Sequence, residues 1–187
     1  MVRNEKEKAA ALILTAVCIV ISVSVSVLDG FSVESVAISP HCSIFQRLVY
    51  SFFHASMLHC IVNCWCLLSI VFAYQISFSS LLLAYLTAVL YPVDTFAIIP
   101  AISPAGHTVG LSAVCFSLLG QIAFQVQRKL YYQFCIISFI AFGYIIPWAS
   151  SACGYAVATP NNLLHIYSYV VGLLVGFLNS PAPWQRK

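Results

Sequence analysis

Between Ala9 and Leu28 the chain runs AAALILTAVCIVISVSVSVL, twenty residues without a charged side chain. A helix of that length rises about 30 Å, the thickness of a bilayer's hydrocarbon core. Further apolar runs at 54–75, 78–93, 112–127, 130–148 and 163–180 approach the same length. Lipid offers a backbone no water to bond, so such runs are confined to helices that satisfy their own N–H and C=O groups. Composition agrees, with 61% hydrophobic and 7% charged residues against about 25% charged in a soluble domain. The expectation is an all-α, multi-pass integral membrane protein: a single membrane domain, 1–187, of six transmembrane helices at 9–28, 54–75, 78–93, 112–127, 130–148 and 163–180.

The first run exceeds the apolar core of a signal peptide, so it reads as an uncleaved first span, with a cleaved signal as the alternative. Eight cysteines, mostly inside apolar runs, show neither disulfide nor zinc spacing and read as small buried hydrophobes. Segments 92–110 and 147–162, rich in Pro, Ser and Gly, read as loops.

Six spans put both termini on one side. Arg3, Lys6, Lys8, Arg128, Lys129, Arg186 and Lys187 then share a face, leaving only Arg47 with Asp29, Glu34 and Asp94 on the other. The positive-inside rule makes the first face cytosolic. The net charge of +3 therefore orients the chain and gives no reason to expect nucleic acid. Endomembrane, plasma membrane and bacterial inner membrane all suit it.

Against this apolar background, polar side chains inside the spans are costly and suggest function. Ser112 to Arg128, His165 to Pro181 and His59 to Gln75 are each sixteen residues, about 24 Å along a helix. His59, Ser112 and His165 therefore lie at one depth in the second, fourth and sixth spans, a few Å beneath the outer surface. His59 and Asn63, four apart, share a helix face; His54, five before His59, points elsewhere on a continuous helix and reads as structural, tying the first loop. Gly110 precedes Ser112 at the start of a helical run, where free N–H groups and the positive dipole end suit an oxyanion. A serine hydroxyl needs a base, usually histidine. The parts for acyl transfer are thus Ser112 as nucleophile, His165 as base, and His59, Asn63 and the Ser112 N–H as oxyanion donors. The plainer readings are Ser112 as a small packing residue, His59 and Asn63 as interhelical glue, and His165 as a polar contact near Asn161 and Asn162. Gly172 and Gly176 mark the face on which the sixth span packs against the fourth, with Gly120 opposite. His41 and His107 read as loop residues, and Trp148 and Trp184 as interfacial anchors.

These residues resemble the rhomboid intramembrane serine proteases. QRLVYSFFHASMLHCIVN carries the H-x4-H-x3-N spacing of His54, His59 and Asn63; GLSA resembles the G-x-S-x motif at Ser112; HIYSYVVGLLVG resembles the sixth-helix motif at His165. The resemblance, from about Arg47 to about Gly176, implies a six-transmembrane-helix rhomboid-like bundle with a short, sunken fourth helix. It also implies a Ser–His dyad without an acidic member, an aromatic ring under the imidazole at Phe116, and lateral access between the second and fifth helices for single-span or other transmembrane protein substrates within the lipid bilayer. No cofactor and no metal is implied. Three positions depart from the pattern: Gln46 stands for the usual Trp before Arg47, Ala113 for Gly after the serine, and Ser168 for Gly after the histidine. A short first loop, roughly 29–50, is a further departure.

Two other functions fit parts of the sequence. One is a catalytically silent member that binds transmembrane helices in trafficking or degradation, for which Gln46 and Ala113 leave room. The other is a transporter or metal protein using His54, His59, Cys60 and Cys64; Cys60 points away from its neighbour His59, and no H-E-x-x-H motif is present.

Overall fold

A computed structural model describes residues 5–28, 31–98, 106–154 and 161–179. Arg3, Asp29, Trp184, Arg186 and Lys187, together with residue 180 at the end of the sixth predicted span, lie outside the described residues. The described α-helices are α1 (Glu5–Val27), α2 (Ile44–Val49), α3 (Met57–Ala73), α4 (Phe78–Val89), α5 (Val93–Ala97), α6 (Ser112–Ile122), α7 (Lys129–Ala152) and α8 (Asn162–Asn179). Among the described residues the extended pairing is one isolated bridge, Ile38 with Thr108.

Among the described residues four stretches are long and apolar enough to cross a bilayer: Glu5–Val27, Phe78–Ala97, Lys129–Ala152 and Asn162–Asn179. A fifth crossing results if Ile44–Phe52 and Met57–Ala73, which meet at 84°, form one broken span. Helix α6 has eleven residues, about 16 Å of rise, half a hydrocarbon core.

The helix boundaries depart from the apolar runs for local reasons. The second predicted span begins at Met57 rather than residue 54, because Ser56 caps it, its hydroxyl accepting from the His59 N–H at 3.2 Å. The third ends at Val89, short of Pro92, since the residue before a proline is pushed out of the α region. The fourth stops at Ile122, not 127: tight turn bonds from Ala123 N–H to Gly120 O and from Gln125 N–H to Ile122 O close it. The fifth continues through Pro147 to Ala152. Proline removes one N–H from the ladder, a loss that membrane helices tolerate when neighbouring groups compensate.

Helix α6 is the centre of the bundle. Nine of its eleven residues are buried, and it packs most extensively against α8, then α4. Lipid is as apolar as leucine, so close packing between small residues, rather than escape from water, must hold such helices together. Glycines permit it here: a Cβ on Gly172 would collide with the Ser117 carbonyl, on Gly176 with the Gln121 backbone, and on Gly120 with the backbone of Tyr169 and Gly172. Helix α7 is different. Of its 24 residues only Ile136 is buried, and its first half is fastened by Tyr132 OH to Leu119 O at 2.6 Å and by Tyr169 OH to Gln133 Oε1 at 2.7 Å.

The segment between α1 and α3 is tied across the top of the bundle. Gln46 does not leave its position unfilled: it completes a capping box with Ser43 and donates to Ala37 O at 3.2 Å. Arg47 donates to Tyr91 O at 2.7 Å and to Asp94 Oδ2 at 2.6 Å, and Asp94 also accepts from the His41 N–H. Ile38 and Thr108 exchange both backbone bonds at 3.0 Å, which attaches this segment to the approach to α6.

Candidate active site

Ser112 is the first residue of α6, so the helix's opening N–H groups have no intrahelical acceptor. The chain reaches it through Gly110, at φ +118°, a conformation L side chains rarely adopt. Space demands glycine there as well, because a Cβ would lie 2.8 Å from His59 Cε1 and 3.2 Å from Asn63 Nδ2. The Gly110 N–H donates to Tyr50 O at 3.0 Å, and the Leu111 N–H donates to His54 Nε2 at 3.4 Å. Two successive amides thus fix the turn that presents the serine.

His165 lies in the first turn of α8, and its Nε2 is 3.1 Å from Ser112 Oγ. Phe116, one turn along α6 from Ser112, stacks on the imidazole with centroids 4.4 Å apart and planes 14° from parallel. His165 is buried, and its Nδ1 has no protein hydrogen-bond partner. No described carboxylate bonds to the ring. Among the described residues the contacts of the ring are Ser112 Oγ, and Phe116 stacked on its face.

On the other side of Ser112, His59 and Asn63 come from α3. Asn63 is buried and its Nδ2 has no partner, an expensive condition for an amide. His54 is also close. Its ring meets that of His59 edge-on, with centroids 5.2 Å apart. The expectation that His54 points away assumed a continuous helix; the bend before Met57 turns it back against His59 and the Leu111 amide. Cys18, Cys60 and Cys64 form a separate buried cluster. Among the described residues, no group of three or more His, Cys, Asp or Glu could hold a metal ion.

A cavity of about 340 Å³ opens beside the Ser112–His165 pair, reaching from His59 and Asn63 on α3 to Phe139, Phe142, Gly143 and Pro147 on α7. Its wall is mostly hydrocarbon, and its polar lining residues are His59, Asn63, Ser112, Asn162 and His165. Asn162 closes the α8 side and packs so tightly on Gly143 that a Cβ there would meet its Oδ1 at 2.5 Å. The α7 wall was missed in the sequence, since its aromatic residues carry no signal that separates a cavity lining from a lipid face. Asn161 stands in the sequence as a neighbour of His165 with a further signal of its own. As an Asn directly before an apolar helical run it had the form of an N-cap, and its Oδ1 does accept from the Leu164 N–H at 3.0 Å.

These features define a multi-pass helical membrane protein with a part-buried Ser–His contact beside an apolar cavity. The Rhomboid domain family matches residues 41–182, most of the chain, and the protein belongs to the rhomboid family, whose members are in general intramembrane serine proteases. No curated protein matches it.

Proposed function

We propose that the protein is an intramembrane serine endopeptidase that cleaves transmembrane proteins with a Ser112–His165 dyad. The observation that carries this reading is the 3.1 Å approach of His165 Nε2 to Ser112 Oγ, a distance at which the ring can take the hydroxyl proton. Ser112 Oγ attacks the scissile carbonyl carbon while its proton passes to His165 Nε2. The carbonyl oxygen becomes an anion beside the Ser112 N–H, Asn63 Nδ2 and His59. As the tetrahedral species collapses, the C–N bond breaks and His165 returns the proton to the leaving amine. Water then attacks the acyl ester, with His165 again taking and returning a proton, and Ser112 is regenerated.

Preorganised donors at a site shielded from water supply the largest part of such catalysis, each worth roughly 10²–10³ in rate. Asn63 suits the role because its Nδ2 has no ground-state partner to give up. Phe116 steadies the imidazole, Gly110 allows the turn, and Gly172 and Gly176 bring α8 against α6. The cavity between α3 and α7 supports lateral access, because α7 is the least buried of the membrane-crossing helices and its second half borders the cavity. A substrate helix would have to unwind there, since a helical backbone keeps its carbonyls bonded. In this reading residues 1–187 form one six-helix membrane domain, with α6 as its short, sunken fourth helix and both termini in the cytosol.

The test is labelling of the full chain in detergent or proteoliposomes with a fluorophosphonate probe. Wild type should label, and Ser112→Ala and His165→Ala should not. Equal labelling of wild type and Ser112→Ala would remove Ser112 as the nucleophile. Absence of wild-type labelling, where a known membrane serine protease labels, would favour a silent member that only binds transmembrane helices.

A further inference from the structure

We infer that Asn161 is a positioning residue that sets the register between the helix carrying His165 and the turn that leads into Ser112; this rests on the dyad reading above. Asn161 is buried, 7% exposed, and both ends of its amide are engaged. Its Oδ1 caps α8, accepting from the Leu164 N–H at 3.0 Å, while its backbone carbonyl accepts from the His165 N–H at 3.2 Å. Its Nδ2 donates to Thr108 Oγ1 at 3.1 Å. Thr108 lies four residues before Ser112 and is itself clamped by paired backbone bonds to Ile38. A longer contact of 3.5 Å joins the Tyr91 hydroxyl to the same Oδ1, and the Tyr91 carbonyl accepts from Arg47.

One amide thus joins two otherwise separate supports. The Ser112 turn is held from the α3 side by Tyr50 O and His54 Nε2, and those bonds say nothing about where α8 stands. Packing at Gly172 and Gly176 fixes the distance between α6 and α8 two and three turns below His165. It leaves the first turn of α8 free to fray, as helix ends do. Asn161 acts at that end. Its cap holds the turn that bears His165, and its Nδ2 holds the same turn to the approach to Ser112. Loss of the Thr108 bond alone should leave α8 folded and let the dyad separation drift. Displacements of about 1 Å can cost roughly a hundredfold in rate.

Thr108 allows the two roles of Asn161 to be separated. Thr108→Val removes the acceptor and keeps the shape; Thr108→Ser restores it; Asn161→Ser keeps an N-cap oxygen but cannot reach Thr108. The experiment measures the second-order rate of fluorophosphonate labelling of the full chain, with thermal unfolding to show that each variant is folded, and hydrogen exchange of segments 106–111 and 162–168. Thr108→Val and Asn161→Ser should each slow labelling about tenfold to a hundredfold, and Thr108→Ser should label near the wild-type rate. The double variant should be no slower than the slower single, because both remove one bond. Exchange should rise in both segments for Thr108→Val. Wild-type labelling rates in Thr108→Val, or multiplicative losses in the double variant, would overturn the inference. If wild type does not label, the dyad reading falls while exchange still decides the tie: unchanged exchange in Thr108→Val would refute it.

Discussion

The ring of Phe116 lies under that of His165, 4.4 Å between centroids and 14° from parallel. Both residues sit at the α6–α8 contact, so the stack fixes the imidazole plane without using either ring nitrogen. Stacked pairs contribute roughly 1 kcal/mol beyond their area, but the larger effect here is on orientation. Phe116→Ala should reduce fluorophosphonate labelling more than tenfold, and Phe116→Tyr, which keeps the ring, should retain most of it. Labelling rates set beside unfolding temperatures check this. If Phe116→Ala matches wild type in rate and loses only stability, the stack is packing alone.

Asn63 offers a sharper separation of stability from rate. Its Nδ2 is buried without a partner, and an orphaned donor costs the folded state roughly 1–3 kcal/mol. A group kept at that cost should be used elsewhere, and the proposed use is the oxyanion. Asn63→Ala should therefore unfold no earlier than wild type while turnover falls by roughly 10²-fold. Asn63→Asp, with an acceptor in place of a donor, should be at least as slow. Cleavage of a transmembrane substrate in proteoliposomes measures the rate, and thermal unfolding the stability. A rate that falls only in proportion to lost fold would demote Asn63 to a structural residue.

What the sequence made legible follows from which forces act locally. Apolar run length is a one-dimensional quantity, so the membrane class and the stretches containing α1, α7 and α8 were readable directly. Helix ends were less so: Ser56 and Gln125 act through single bonds that an apolar count does not register, and α7 runs on past Pro147 to Ala152. Helical spacing put His59 and Asn63 on one face of α3 because both lie within one regular helix. The same arithmetic misdirected His54, which precedes the helix and returns through a bend of 84°. The cavity wall on α7 was invisible for a different reason: Phe139 and Phe142 look alike to sequence whether they face lipid or a void.

The segment joining α1 to α3 depends on Arg47. Its guanidinium spans the Tyr91 carbonyl and the Asp94 carboxylate, so one side chain holds the segment to the α4–α5 break. Arg47→Leu should lower the unfolding temperature more than Asp94→Asn, which gives up the charge but leaves the Tyr91 bond in place. The effect of Asp94→Asn should shrink as salt rises, because Asp94 is 44% exposed and its attraction is screened. Unfolding temperatures at low and high ionic strength test both statements. Equal losses in the two variants would mean that the Tyr91 bond contributes nothing.

Gly172 tests whether helix contact sets the dyad distance. It lies seven residues, about two turns, beyond His165 on the same face of α8, against the Ser117 backbone. A methyl group at that point has no flexible neighbour to displace: the opposing atoms are the carbonyl and Cα of Ser117. The helices must part, and α8 carries His165 with it. Gly172→Ala should therefore cut labelling at least tenfold at near-normal helix content, and Gly172→Val should also unfold early, since overpacking costs roughly 1–3 kcal/mol. Leu174→Ala, on the lipid-facing side of α8 at 58% exposure, should leave the labelling rate unchanged. Circular dichroism and labelling kinetics on the same preparations separate the outcomes. If Gly172→Ala labels like wild type, α6 and α8 are not in the rigid contact that the 3.1 Å Ser112–His165 distance requires, and the dyad must be held chiefly from above, at Asn161.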